Sequence, residues 1–324
     1  MRRARAALGA TVLAASVFLL SGCQTQPIDN VSTYSSVAPP LGVTPTPAAN
    51  PTEVEATEMR VSQALEPSSI DVYVALGDSY ASMGSASGEE ADSSFCAQSK
   101  DNYPHELARR LGRSVEFVDA SCQGSTTENI AGPRIVEDED LTIEPQLNKL
   151  RSDADLVTLS LGGNDMDFAG IARCLGAMLA GEDRDCSAEY AAPTAQRLAE
   201  LPIKLSKVHS EIKKKAPGAI VVVTGYVPLI SLEQECDVTK VIGRDGVEWG
   251  LWLTAAINNI VKQTAEANGA IFVLPEEVEK HSTCASARQR WVAVDGKDTN
   301  SYPAHPTPRG QREMAKTIES VIEG

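Results

Sequence analysis

Ser79 stands at the end of an apolar run. In VALGDSYASMGSASG, residues 74–88, Val74, Ala75 and Leu76 stop at Gly77-Asp78-Ser79, and small residues follow. A serine hydroxyl is a poor nucleophile until a base takes its proton, and imidazole is the side chain whose pKa suits that task near neutrality. The chain has four histidines. His305, in SYPAHPTPRG at 301–310, precedes a helical segment; His105 and His209 fall inside helical segments, and His281 lies in a polar stretch beside Cys284. The last three read as surface or packed histidines. Taken alone, Gly-Asp-Ser is equally an ordinary strand-to-loop turn, in which Asp78 bonds loop backbone.

The elements that would position these residues alternate between strand and helix. Strands are expected over 70–76, 114–119, within 154–165, over 219–228 and over 270–274. Helices are expected over 103–112, 193–216, 250–268 and 307–323, from apolar residues recurring at three and four. Continuous apolar strands separated by helices imply a mainly parallel sheet covered on both faces, and right-handed crossovers make it a three-layer α/β/α sandwich. Ligands of such sheets bind beyond the carboxyl ends of the strands. Ser79 lies past the first of those ends, and SLGGNDM, 160–166, past the third. DASCQGSTTENI, 119–130, follows the second. Asp165 reads as a loop organiser, and Glu137-Asp138-Glu139-Asp140 as a solvated acidic patch. Trp249 and Trp252, with Leu251 and Leu253, are expected in the helix core, with an acyl pocket as the alternative; Met83 and Phe95 are candidate pocket residues.

Composition bounds the setting. The 324-residue chain carries a formal charge of −15, near −18 without residues 1–22. That balance speaks against nucleic acid, whose affinity comes from phosphate neutralisation by Lys and Arg. Residues 1–22 read as a secretory signal, with Arg2, Arg3 and Arg5 before an apolar core too short to span a bilayer. Leu20-Ser21-Gly22-Cys23 resembles a bacterial lipobox, in which Cys23 would be lipidated; a plain signal peptide is the alternative. Residues 23–68, rich in Pro, Thr, Ser and Ala, read as a disordered tether to a folded domain at 69–324. Six further cysteines in an exported domain suggest disulfides. Sequential pairing is expected, Cys96–Cys122, Cys174–Cys186 and Cys236–Cys284, against the alternative of a free reactive thiol. No CxxC pair points to a metal.

GDSY at 77–80, the loop glycine Gly124, GGND at 162–165 and the His305-Pro306 pair occur in one order across residues 70–324. This set resembles the SGNH hydrolases, also called GDSL-type esterases and lipases, and within them the secreted actinobacterial enzymes with three cysteine pairs. The resemblance implies the flavodoxin-like SGNH fold with a five-stranded sheet. It implies Ser79 as nucleophile and His305 as base, with no cofactor or metal. It also implies an oxyanion hole made by the Ser79 N–H, the Gly124 N–H and the Asn164 side-chain amide. One departure stands out. Many members carry an aspartate three residues before the histidine, where this chain has Tyr302. The resemblance to secreted actinobacterial members implies that the Tyr302 backbone carbonyl orients His305 instead; Asp298 or Asp295 folding back is the alternative.

The expectation is an exported serine esterase or lipase, monomeric and tethered through Cys23 to the outer face of a membrane. A carbohydrate O-acetyl esterase and a non-catalytic binding lipoprotein on the same fold are the alternatives.

Overall fold

In a computed structural model, the described residues are 70–88, 95–136 and 140–323. The signal, Cys23, the tether through residue 68, and Glu137, Asp138 and Glu139 lie outside them. The chain runs β1 (Val72–Gly77), α1 (Ser79–Ser82), α2 (Tyr103–Leu111), β2 (Glu116–Asp119), α3 (Glu128–Ala131), β3 (Arg134–Val136) and β4 (Leu141–Ile143). It continues with β5 (Leu156–Ser160), α4 (Phe168–Leu179), α5 (Cys186–Lys215), β6 (Ile220–Thr224), α6 (Asp237–Ala267), β7 (Ile271–Val273), β8 (Val292–Ala293), β9 (His305–Pro306) and α7 (Pro308–Glu323).

Five strands form one parallel sheet in the order β2-β1-β5-β6-β7. Every residue of β1 and β5 is buried, because a central parallel strand is covered on both faces. Alternate side chains of β1 enter two different cores. Val72, Val74 and Leu76 meet Leu201 and Leu205 of α5 and Ile257 and Val261 of α6. Tyr73 and Ala75 meet Leu107 of α2 and Met314 and Ile318 of α7. The three-layer α/β/α sandwich expected from the alternation is thus the observed architecture.

Two helices are longer than periodicity indicated. α5 begins at Cys186, because the Asp185 carboxylate caps it by accepting from the Ala188 N–H at 3.0 Å. α6 begins at Asp237 and kinks at Gly243, whose φ is +68°. α4 is absent from the sequence reading. Its residues, FAGIARCLGAML, mix glycine and alanine with apolar side chains, so no polar face marks a helical period. The three expected disulfides are present, Cys96–Cys122, Cys174–Cys186 and Cys236–Cys284. Each stabilises by closing a loop, on the order of 2–4 kcal/mol. The second staples α4 to the start of α5.

β1 ends where it must pass the backbone of β5. Gly77 has φ +140°, and a Cβ there would lie 2.9 Å from the Ser160 nitrogen and closer still to its carbonyl oxygen. Gly77→Ala is expected to cost about 3 kcal/mol or more, from strain and overpacking together. The urea midpoint reads this directly, and an unchanged midpoint would show that the β1–β5 contact yields.

Candidate active site

The turn after β1 sets Ser79 at the first position of α1. Asp78 is the N-cap, and its Oδ1 accepts the Tyr80 N–H at 2.9 Å. The Asp78 N–H donates to the Ser160 carbonyl at 2.9 Å, locking the turn to β5. First-turn N–H groups have no acceptor within their helix. Among the described residues, the Ser79 N–H donates to no other group. Ser79 is buried and lines a cavity.

Asp78 does more than cap. Its Oδ2 accepts from the Tyr226 hydroxyl at 2.6 Å, and that hydroxyl accepts the Gly163 N–H at 2.8 Å. One tyrosine, just past β6, therefore ties the Ser79 turn to the loop that carries Asn164. Burial pushes the Asp78 pKa from 3.8 up to about 7, against the pull of hydrogen bonds from Tyr226, Tyr80 and Ser160.

The Gly124 loop is held from two sides. Gln146 Oε1 accepts the Gly77 N–H at 2.8 Å, while its Nε2 donates to the Gly77 carbonyl at 2.8 Å and to Ser125 Oγ at 3.0 Å. Asp165 accepts from the Thr127 N–H at 3.0 Å and the Thr127 hydroxyl at 2.6 Å, the organising role expected of it. Gly124 itself has φ +69°. Asn164 Nδ2 donates to the Ser125 carbonyl at 3.0 Å, which spends one amide hydrogen and leaves the second.

His305 arrives on β9, paired with Ala293 of β8. Its Nδ1 lies 2.6 Å from the Pro303 carbonyl oxygen. This corrects the expectation of Tyr302: the Tyr302 carbonyl instead accepts the His305 backbone N–H at 3.3 Å. Ala304, at φ +61°, turns the chain between the two, so the carbonyl two residues back reaches the ring rather than the one three back. Asp295 and Asp298 are both exposed, and Asp295 accepts from the Lys297 N–H at 3.3 Å. The carbonyl occupies the place that either carboxylate would need. Burial lowers the His305 pKa below 6.5, partly opposed by that carbonyl, which favours the cation. The loop is fastened to α1: the Tyr80 hydroxyl donates to the Ala304 carbonyl at 3.4 Å, and its ring centre lies 5.7 Å from that of His305. Gln311 of α7 donates to the Tyr80 carbonyl at 2.9 Å and accepts the Tyr103 N–H at 2.9 Å.

Ser79, Gly124, Asn164 and His305 line one cavity of about 540 Å³. The other three histidines lie elsewhere. His105 bonds Asn102 at 2.8 Å, His209 is buried in α5 with its pKa pushed down to about 4, and His281 stacks on Trp291 at 3.8 Å. The cavity wall is mostly apolar, with Phe168, Ile171 and Leu175 from α4 and Trp249 and Leu253 from α6. Trp249 serves both core and cavity, whereas Trp252, three residues on, is exposed. Met83 and Phe95 also face the cavity. Tyr226, Gln146 and Arg134 are site residues that sequence reasoning missed; the strand expected over 219–228 ran through Tyr226, whereas β6 ends at Thr224 and leaves Tyr226 just past its carboxyl end.

The model of the GDSL-like Lipase/Acylhydrolase family matches residues 75–313. The chain belongs to this family. Lipase 1 of Streptomyces coelicolor is 30% identical over 260 residues, 79% of this chain and 88% of that protein. A lipase of Streptomyces rimosus is 31% identical over 244 residues, 74% of this chain and 82% of that protein. The crystal structure of the extracellular lipase from Streptomyces rimosus superposes with a TM-score of 0.64 at 26% identity, covering 77% of this chain and 99% of that one. This GDSL-like acylhydrolase is accordingly a carboxylic ester hydrolase built on the SGNH lipase fold.

Because the folded acylhydrolase holds the Asp78 proton more tightly than the unfolded chain, this group's contribution to stability is greatest below pH 3.8 and is lost as pH rises to about 7. Urea unfolding of the wild type and Asp78→Asn across that window should show the wild type losing stability relative to the variant as pH rises. Parallel profiles would assign the slope to other groups.

Proposed function

We propose that this acylhydrolase is an exported, membrane-tethered serine esterase acting on esters of medium or long acyl chains. Ser79 Oγ attacks the ester carbonyl carbon while His305 Nε2 takes its proton. The carbonyl π pair moves onto oxygen, and the Ser79 N–H, the Gly124 N–H and the second Asn164 amide hydrogen receive that oxyanion. Collapse breaks the bond to the alcohol, which leaves with the proton held by His305. Water then repeats the sequence on the acyl-enzyme and restores Ser79. The Pro303 carbonyl holds the Nδ1–H tautomer and directs Nε2 toward the serine; a carbonyl supplies orientation with less charge assistance to the imidazolium than a carboxylate.

The observation that carries the chain-length reading is the apolar cavity of about 540 Å³ that opens onto the four residues. An acetyl group needs no such wall, so the carbohydrate O-acetyl esterase has less support. Export is supported by three disulfides, which persist in oxidising compartments. Among the described residues no helix is long and apolar enough to cross a membrane, and the proposed attachment is a lipid on Cys23. A monomer suffices for the chemistry, since all four residues come from one chain.

The full chain, produced in a bacterium that exports it, should hydrolyse p-nitrophenyl esters with kcat/KM rising from acetate toward decanoate. Ser79→Ala should lower kcat by about a thousandfold or more without unfolding the protein, and Asn164→Ala by about a hundredfold. Acetate preference would favour the carbohydrate esterase. No hydrolysis by folded, disulfide-bonded protein would favour a binding lipoprotein.

His305 must be neutral to act as base, and its pKa is lowered. The acid limb of kcat/KM should therefore have its midpoint below 6.5, the ordinary histidine value. A midpoint above it would mean that the cation is favoured in the free enzyme and that burial does not dominate.

A further inference from the structure

Tyr226 lies two residues past β6, where the chain is leaving the sheet. Gly225 still donates to the Val273 carbonyl of β7 at 2.8 Å. The N–H and C=O of Tyr226 fall beyond the strand ladder, and buried backbone groups need partners. Asn258 of α6 supplies both. Its Oδ1 accepts the Tyr226 N–H at 2.7 Å, and its Nδ2 donates to the Tyr226 carbonyl at 2.8 Å. Gly225 leaves room for this clamp: a Cβ there would lie 3.2 Å from Asn258 Oδ1 and 2.8 Å from Phe272 Cζ. Asn258 is not part of the cavity wall, and its helix neighbours Ile257 and Val261 are set in the main core. The clamp thus fixes Tyr226 to the body of the protein.

From that fixed point the Tyr226 side chain touches both halves of the proposed oxyanion hole. Its ring packs edge-on against Tyr80, with 4.9 Å between centres, and against Phe168 at 5.5 Å. Its hydroxyl donates to Asp78 and accepts from the Gly163 N–H. Asp78 and Tyr80 flank Ser79, and Gly163 precedes Asn164. Phe168 closes the Asn164 turn by donating its N–H to the Gly163 carbonyl at 3.2 Å. A Cβ on Gly163 would lie 3.1 Å from Tyr226 Cε1 and 2.7 Å from Phe168 Cδ2, so glycine is what lets ring and turn approach this closely. One rigid side chain therefore spans the interval between the nucleophile and the oxyanion amide. A misplacement of about 1 Å at such a site costs on the order of a hundredfold in rate.

We infer that Tyr226 and Asn258 are positioning residues of this hydrolase: Asn258 anchors Tyr226, and the Tyr226 hydroxyl holds the Asn164 amide in register with Ser79. This rests on the esterase reading above. No covalent step changes; the two residues act through the placement of Asn164.

Tyr226→Phe keeps the ring and removes the hydroxyl. On p-nitrophenyl decanoate its kcat should fall about tenfold or more with KM within about twofold of wild type, because the amide it places acts in the transition state. Asn258→Ala should show the same split between kcat and KM, and either variant alone carries the test should the other not fold. A double-mutant cycle separates positioning from packing. In an Asn164→Ala background, Tyr226→Phe should cost less than about threefold, since the amide it places is gone. The full loss in that background overturns the inference and leaves the esterase reading in place. So does a Tyr226→Phe enzyme with wild-type kcat and a lowered urea midpoint, which would be a tyrosine buried for packing alone. A loss confined to KM would make Tyr226 a substrate contact and overturns the inference equally. Folded wild-type protein that cleaves no ester removes the inference and the esterase reading together.

Discussion

The buried hydrogen bond between Asp78 and Tyr226 is the interaction on which the rest of the site depends. Asp78 caps the helix that begins with Ser79, bonds β5 through its backbone, and holds a tyrosine that also holds Gly163. Three carboxyl strand ends, those of β1, β5 and β6, are thereby locked to one another within a few ångströms. A carboxylate in so dry a place is expensive to ionise, which is why its pKa is pushed up to about 7. Its hydrogen bonds recover part of that cost, and the geometry of Ser79 relative to Asn164 is what results.

A second layer of amides completes the frame. Gln146 pairs with both backbone groups of Gly77 and reaches Ser125, whose carbonyl takes one hydrogen of Asn164. Gln311 does the same service on the opposite side, joining Tyr80 to α2 and α7. Neutral amides suit these places, since each donates and accepts at once without bringing a charge into the interior. The network orients the three proposed oxyanion donors before any substrate arrives, and preorganisation of this kind is where electrostatic catalysis gains most.

The histidine is held differently from the rest. Its partner is the Pro303 carbonyl, two residues back in the turn that precedes β9, so the orientation of the ring depends on the path of one loop. Tyr80 and the β8–β9 pair constrain that path from either side. The acid of a full triad would add a charge to this crowded edge of the sheet, where Asp78 and Asp165 are already desolvated. A carbonyl fixes the tautomer without that addition.

Much of this was legible from residue order. The five strands and their parallel pairing follow from local pattern. The gathering of Ser79, Gly124, Asn164 and His305 at one end of the sheet was instead implied by the resemblance of four short motifs to a family, and the sequential disulfides were an expectation that pattern alone left open. Apolar runs, turn glycines and helical spacing act over a few residues and survive in a one-dimensional reading. What tertiary structure alone decided were the contacts between distant segments. Tyr226 reaches Asp78 across 148 positions, and Gln146 reaches Gly77 across 69. No spacing rule encodes such pairs. The choice of Pro303 over Tyr302 turned on a single positive φ at Ala304, a residue with no local bias toward it. Helix α4 and the cavity it lines are likewise products of packing: its glycines and alanines are uninformative until Cys174 is bonded to Cys186 and its apolar side is set against α6. Local chemistry determined which residues could react; the burial of polar groups between distant strands decided how they face one another.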